Sequence, residues 1–324
     1  MKKSLFYFLF SLWLITGISI TQAQTAFPLL KVVPWNGHKA ATSLTFDDGD
    51  PIHLDVVIPE LNRRQIHGTF FLIANRIDRK DEWHQAIKAG HEIGNHTLDH
   101  LHANTLTPKD ENAQVVGAQN VLQKEFGVPI YSFAYPFTEI TPGLEDWVEK
   151  TSFMARGGMD TLVSPEDKTI DWFNIPARVT MTNLPFDTYQ GWIDKDTQSG
   201  DWLVWMIHGI EGTPWGWQPI SRKMFTQILD YLQSKDIWIG TFTEIGSYLR
   251  AWQSFEAATI QASGSEVVYR WVIPDHCPMN VGLKVCFAQG DAPVQVWQND
   301  QQIVPDAQRN YKILFNQGQL SLRR

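Results

Sequence analysis

Lys39-Ala40-Ala41-Thr42-Ser43-Leu44-Thr45-Phe46 runs straight into Asp47-Asp48-Gly49-Asp50. The first eight residues are small or apolar and suit a strand buried in a sheet, whereas the next four gather three carboxylates around a glycine. In α/β folds functional residues collect at the carboxyl ends of strands, so this stretch predicts both a fold class and the place to look for chemistry. Beyond it, Ile52, Val56, Val57 and Leu61 follow helical spacing, and Gly68 opens Thr69-Phe70-Phe71-Leu72-Ile73, a second buried strand. The unit then repeats. Helices are expected over 83–89, 108–126, 144–150 and 224–234, and strands over 91–94, 130–135, 153–156, 202–207 and 238–242. Repeated β/α units predict a parallel sheet or barrel.

From about residue 251 the texture changes. Val267-Val268-Tyr269-Arg270-Trp271-Val272 and Val294-Gln295-Val296-Trp297 alternate as short antiparallel strands do, which predicts a small, sandwich-like all-β domain over 251–324. At the other end, Lys2 and Lys3 precede an apolar run from Leu5 to Ile20, and Thr21-Gln22-Ala23 offers small residues for cleavage. Residues 1–23 therefore read as a signal peptide, and 24–250 as the main domain of an exported, periplasmic or secreted protein. The apolar run is short for a membrane span, and none is expected after cleavage. In an oxidising compartment the only two cysteines, Cys277 and Cys286, are expected to form a local disulfide.

The formal net charge is −8 and no basic stripe runs along the chain, so nucleic acid is not an expected partner. Fourteen Trp are many; they suit gripping flat sugar rings, and they suit cores and interfaces equally. Oligomeric state is not legible.

Gly94-Asn95-His96-Thr97-Leu98-Asp99-His100-Leu101-His102 carries the second cluster. On a helix, His96 and His100 would share one face, one turn apart, close enough to bind one divalent metal. Two histidines need a third ligand, and the carboxylates at 47–50 are the best candidates. Neighbouring Asp47 and Asp48 on an extended segment point opposite ways, so one can ligate a metal while the other serves as a base. Asp-His-His with an open position is what a catalytic zinc needs. His102 would face away on such a helix, and His38, His53, His67, His84, His91 and His276 have no partner at ligand spacing and read as surface or structural residues.

Thr45-Phe46-Asp47-Asp48-Gly49, Gly68-Thr69-Phe70-Phe71 and Glu92-Ile93-Gly94-Asn95-His96-Thr97-Leu98-Asp99-His100, in this order and spacing, closely resemble the polysaccharide deacetylase family, the NodB-homology domains of carbohydrate esterase family 4. The resemblance spans roughly residues 38–250. It implies a distorted (β/α) barrel. Asp48, His96 and His100 match the family's metal ligands, with Zn²⁺ expected and Co²⁺, Mn²⁺ or Ni²⁺ able to replace it. Asp47 matches the general base and His208 the catalytic acid. Phe133-Ala134-Tyr135-Pro136-Phe137 stands at the third motif, which gives Phe137 the N–H for an oxyanion and puts Tyr135 in the substrate pocket. Met206 and Trp172 match residues lining that pocket, and Asp171 could orient His208. One match is missing. The third motif often carries an Arg that pairs with the base, and here that position holds Phe, so Arg178 is the expected substitute; a common Gly is also replaced, by Thr138.

The implied activity is metal-dependent removal of N-acetyl groups from an N-acetylglucosamine-type polysaccharide or oligosaccharide. O-deacetylation of xylan or another hemicellulose uses the same chemistry. A different class remains open, a carbohydrate-binding protein on a degenerate deacetylase domain, and the missing Arg favours it.

Overall fold

The strand Ala40–Phe46 is buried along its whole length, because sheet neighbours lie on both sides and helices cover it. This computed structural model describes residues 27–213, 216–289 and 294–324; the expected signal peptide lies outside them. Numbered along the chain, the first strands are β1 (Leu30–Val32), β2 (Ala40–Phe46), β3 (Thr69–Leu72), β4 (Glu92–Asn95), β5 (Ser132–Ala134), β6 (Met154–Arg156), β7 (Arg178–Val179), β8 (Trp202–Ile207) and β9 (Ile237–Ile239). Strands β2 to β9 form one parallel sheet, in the order β6-β5-β4-β3-β2-β8-β7, with β9 also paired to β2. The sheet curls into a distorted (β/α) barrel whose seam is crossed by isolated bridges, Arg156 to Ile175 and Val163 to Trp202. The predicted fold class holds.

Helices close the crossovers where the sequence supplies caps. Thr107 makes a capping box with Asp110, and Thr141, Ser221 and Thr241 accept hydrogen bonds from the third residue after each of them. Two helices were not expected, Phe186–Ser199 and Phe242–Glu256. The second spans the expected boundary: the strand expected to reach residue 242 ends at Ile239, Thr241 caps a helix, and residue 250 lies inside that helix.

The remaining strands are β10 (Thr259–Ser263), β11 (Glu266–Arg270), β12 (Gly282–Phe287), β13 (Gln295–Gln298), β14 (Gln301–Ile303), β15 (Tyr311–Leu314) and β16 (Gln319–Arg323). They build two antiparallel sheets, β10-β11-β16-β13-β14 and β1-β12-β15. The C-terminal all-β region is as predicted, but it borrows β1 from the beginning of the chain. Its core residues Val267, Leu283, Val285 and Leu322 belong to one apolar cluster with Trp252 and Phe255 of the last helix and with Val204 and Met206 of the barrel. Phe255 stacks on Tyr269 at 5.7 Å, which locks helix to sandwich.

The expected disulfide is absent; Cys277 and Cys286 are both free thiols. Strand alternation explains it. Cys286 lies between the buried Val285 and Phe287 and so points off the core side, whereas Cys277 packs against the core beside Asn316.

Candidate active site

Where β2 ends, the Asp47 N–H donates to the Ile207 carbonyl at 3.0 Å, tying this corner to the end of β8. Asp48 then adopts φ 73° and Gly49 φ 68°, a left-handed turn that sends the two carboxylates in different directions. Asp47 goes into the barrel mouth and is buried; Asp48 turns toward the histidines.

The histidine pair sits on a loop, not on the expected helix. Local side-chain hydrogen bonds compete successfully with helix formation there. Asn95 Oδ1 accepts from the Thr97 N–H at 2.9 Å, and Thr97 Oγ1 accepts from the His100 N–H at 3.0 Å, while Thr97 and His100 hold φ values of 65° and 59°. Asn95 is itself anchored by donating to the Val115 carbonyl at 3.0 Å. Asp99 accepts from Asn75 and Gln114, so both polar residues between the histidines, Thr97 and Asp99, support the loop.

The Asp48 carboxylate lies 3.3 Å from His100 Nε2 and 3.6 Å from His96 Nε2. Ligand atoms about 2.0–2.2 Å from a tetrahedral ion stand roughly 3.3–3.6 Å apart, so these separations have the size of a coordination sphere. The ligand atoms of the three side chains all lie within 4.8 Å of one another. His96 Nδ1 donates to the Ala134 carbonyl at 2.8 Å, which fixes the tautomer and turns the lone pair of Nε2 toward Asp48. That Nε2 is buried with no hydrogen-bond partner, a costly arrangement that a bound cation would relieve. Burial, followed by charge on His96, pushes the pKa of His100 down to about 4, so its ring offers a lone pair at neutral pH. At His96 burial is outweighed by Asp48 and Asp47, which raise the pKa, so a bound cation would take the place of its Nε2 proton. The residues fit a single divalent metal.

Beside this cluster, Asp47 Oδ2 is held by Arg156 Nη2 at 2.5 Å, and His208 Nε2 stands 3.5 Å from the same oxygen. Burial would raise the Asp47 pKa, but Arg156, His208 and His96 outweigh it and hold the carboxyl below its ordinary value. Oδ1 is buried with no partner, leaving one oxygen of an ionised carboxylate uncommitted. His208 is pushed below its ordinary pKa chiefly by burial, against the pull of Asp47 and Asp48.

These groups line a cleft of about 660 Å³. Tyr135, Phe137 and Met206 also line it. Phe137 takes φ 55°, is half exposed, and stacks on His102 at 3.8 Å; His102, set aside in the sequence, thus props the cleft rim and pairs with Glu139 at 2.9 Å. Trp217 forms the opposite rim, edge-on to His208 at 4.9 Å, and Trp192 supplies a wall.

Three expectations need correction. Arg178 does not reach Asp47: it lies 3.1 Å from Asp160 and over the Trp192 ring, and the guanidinium on Asp47 is that of Arg156, from the end of β6. Trp172 lies outside the cleft lining, packed against the core under the Arg250 guanidinium. Asp171 does not orient His208; its carboxylate accepts from the Phe173 N–H at 3.0 Å, and His208 Nδ1 has no partner. Arg156 carried a legible signal. It ends a predicted buried strand, and a buried Arg almost always has a carboxylate partner.

A buried carboxylate and a histidine beside an Asp-His-His cluster, at the carboxyl ends of a curled parallel sheet, form an arrangement suited to hydrolytic chemistry. Residues 36–154 match the polysaccharide deacetylase family model. The chain is 33% identical over 161 residues to the peptidoglycan-N-acetylglucosamine deacetylase of Bacillus cereus, covering 49% of this chain and 68% of that protein. It is 30% identical over 112 residues to the peptidoglycan-N-acetylmuramic acid deacetylase PdaC of Bacillus subtilis, where the match covers 34% of this chain and 22% of the relative. A crystal structure from Mycobacterium smegmatis, whose assignment as a polysaccharide deacetylase is itself provisional, superposes with a TM-score of 0.54 at 15% identity, over 69% of this chain and 95% of that one; it supports the fold alone. The chain belongs to the polysaccharide deacetylase family, hydrolases that act on acetylated carbohydrate.

Proposed function

We propose that this protein removes N-acetyl groups from an N-acetylglucosamine-type glycan by metal-dependent hydrolysis, with Asp48, His96 and His100 holding one divalent ion, Zn²⁺ by preference. The observation that carries the reading is the unpartnered, buried Nε2 of His96 facing Asp48 and His100, next to an ionised Asp47. The chemistry such an ion supplies when bound is Lewis acidity, which polarises an acyl carbonyl and acidifies a water.

The chain does the rest. Asp47 accepts the proton of the attacking water at Oδ1, while Arg156 keeps Oδ2 occupied and the carboxylate ionised. The Phe137 N–H, on its left-handed turn at the cleft rim, is the candidate donor to the developing oxyanion. His208 Nε2 gives a proton to the departing amine. Burial lowers its pKa, so the ring takes that proton up during turnover from Asp47, 3.5 Å away, which received it from the water, and the protonated ring is then a strong donor. Phe137 and Trp217 flank the entrance as flat apolar faces for sugar rings.

The substrate class is supported by the name of the Bacillus cereus relative, and the leader-like residues 1–23 support export to where such glycans lie. Among the described residues no helix is long and apolar enough to cross a membrane. The feature that favoured a degenerate binding domain, an Asp47 with no Arg, is answered by Arg156.

Acetate release from N-acetylglucosamine oligomers and from acetylated xylan tests the reading. Wild-type protein should release acetate from the oligomers, and Asp47→Asn should lower the rate by about 100-fold or more. Release from xylan alone would favour O-deacetylation; release from neither would favour a binding role.

A further inference from the structure

His53 is wholly buried, its ring packed against the stacked pair Phe46, at 5.5 Å, and Phe70, at 5.8 Å. An apolar residue would fill such a pocket without the cost of burying an imidazole, so a polar contact must account for it. That contact is a single hydrogen bond: Nε2 lies 2.7 Å from the main-chain carbonyl of His208. A carbonyl only accepts, so Nε2 carries the proton; Nδ1 has no partner. The residue opens a π-helical turn, His53–Val57, directly after the aspartate turn, and such turns occur mostly as local insertions at functional sites.

We infer that His53 is a positioning residue for His208, acting through the His208 main chain rather than through its ring. The inference rests on the deacetylase reading above. Among the described residues no side chain hydrogen-bonds to His208 Nδ1, so the ring takes its orientation from its backbone and from the Trp217 edge. That backbone is pinned at three successive points. The Ile207 carbonyl accepts from the Asp47 N–H at 3.0 Å, the His208 carbonyl accepts from His53, and the Gly209 N–H donates to the Trp217 carbonyl at 3.1 Å. The first ties acid to base, and the third ties acid to cleft wall. The last two hold the two sides of one peptide unit, the one that follows the His208 Cα, whose imidazole Nε2 stands 3.5 Å from Asp47. Without the His53 bond that peptide keeps only its Gly209 N–H anchor and can tilt about it, carrying the imidazole away from the leaving group while the metal ligands and the aromatic rims stay in place.

Three variants separate this role from simple packing. His53→Phe keeps the ring volume and removes the donor, His53→Gln places an amide N–H near the position of Nε2, and His53→Asn is polar but too short to reach. On N-acetylglucosamine oligomers, kcat of His53→Phe and His53→Asn should fall on the order of 10–100-fold, with KM and bound zinc within twofold of wild type. His53→Gln should recover most of kcat. Imidazole NMR of histidine-labelled protein gives a readout independent of turnover: the His208 resonances should shift or broaden in the Phe and Asn variants and stay near wild type in Gln. A wild-type protein that releases no acetate would count against the deacetylase reading while leaving the NMR comparison to decide this one. Wild-type kcat and unchanged His208 resonances in both Phe and Asn, or a Gln variant as impaired as they are, would overturn the inference.

Discussion

At Asp47 a fully buried carboxylate stays ionised because one guanidinium, equally buried, sits on one of its oxygens. Breaking such a pair leaves a charge without compensation and costs roughly 3–5 kcal/mol, several times what an exposed ion pair contributes. Arg156→Met should therefore lower stability by about that amount in denaturant titration. It should also move the pH profile, with a sign fixed by the balance around Asp47. Burial raises its pKa and Arg156 is the largest influence lowering it, so the variant's carboxyl titrates at higher pH. A base must be unprotonated to work, so the acid limb of kcat should shift to higher pH, and an unmoved limb would mean that Asp47 is not the base. The same residue shows what one sequence can reveal. Asp47, Asp48, His96 and His100 were legible because their chemistry is written in local motifs, His208 only through the family resemblance, and the structure lines one cleft with all five. The Arg156–Asp47 pair joins positions 109 residues apart: an Arg at the end of a buried strand signals a carboxylate partner, but only the fold shows that the partner is Asp47.

At the scale of elements, the sequence predicts strands better than the segments after them. β2, β3 and β8 read clearly because small and apolar runs ended abruptly on polar residues. Residues 96–100 misled: their spacing suits a helix, but Asn95 and Thr97 supply competing hydrogen bonds that fold a loop with two left-handed residues. The helix Phe242–Glu256 escaped notice for another reason. It is buried on nearly every side, so its sequence lacks the one-faced apolar pattern by which surface helices are recognised. This has a direct consequence for where the chain can be cut. Ending it after Arg250 removes Ala251, Trp252 and Phe255 from the shared core, and each of the two large side chains is worth about 1.5–3 kcal/mol when buried. The shortened protein should be insoluble or melt without a cooperative transition in calorimetry, whereas two separable domains would leave 24–250 folded.

For the whole molecule, the barrel and the C-terminal sandwich share one apolar cluster, sealed by β1 at one end of the chain and by the last helix near the other. The candidate site lies at the carboxyl ends of the barrel strands, with its charges drawn from β2, the loop after β4, β6 and the end of β8. What unites these separate contributions is a space of metal size bounded by Asp48, His96 and His100, flanked by a base and an acid. The decisive measurement is a zinc titration of chelator-treated full-length protein, followed at each point by acetate release from N-acetylglucosamine oligomers. One ion should bind per chain, acetate release should rise in proportion to occupancy, and His96→Ala should lose both. Activity that is indifferent to the chelator, or zinc binding that survives His96→Ala unchanged, would contradict the account.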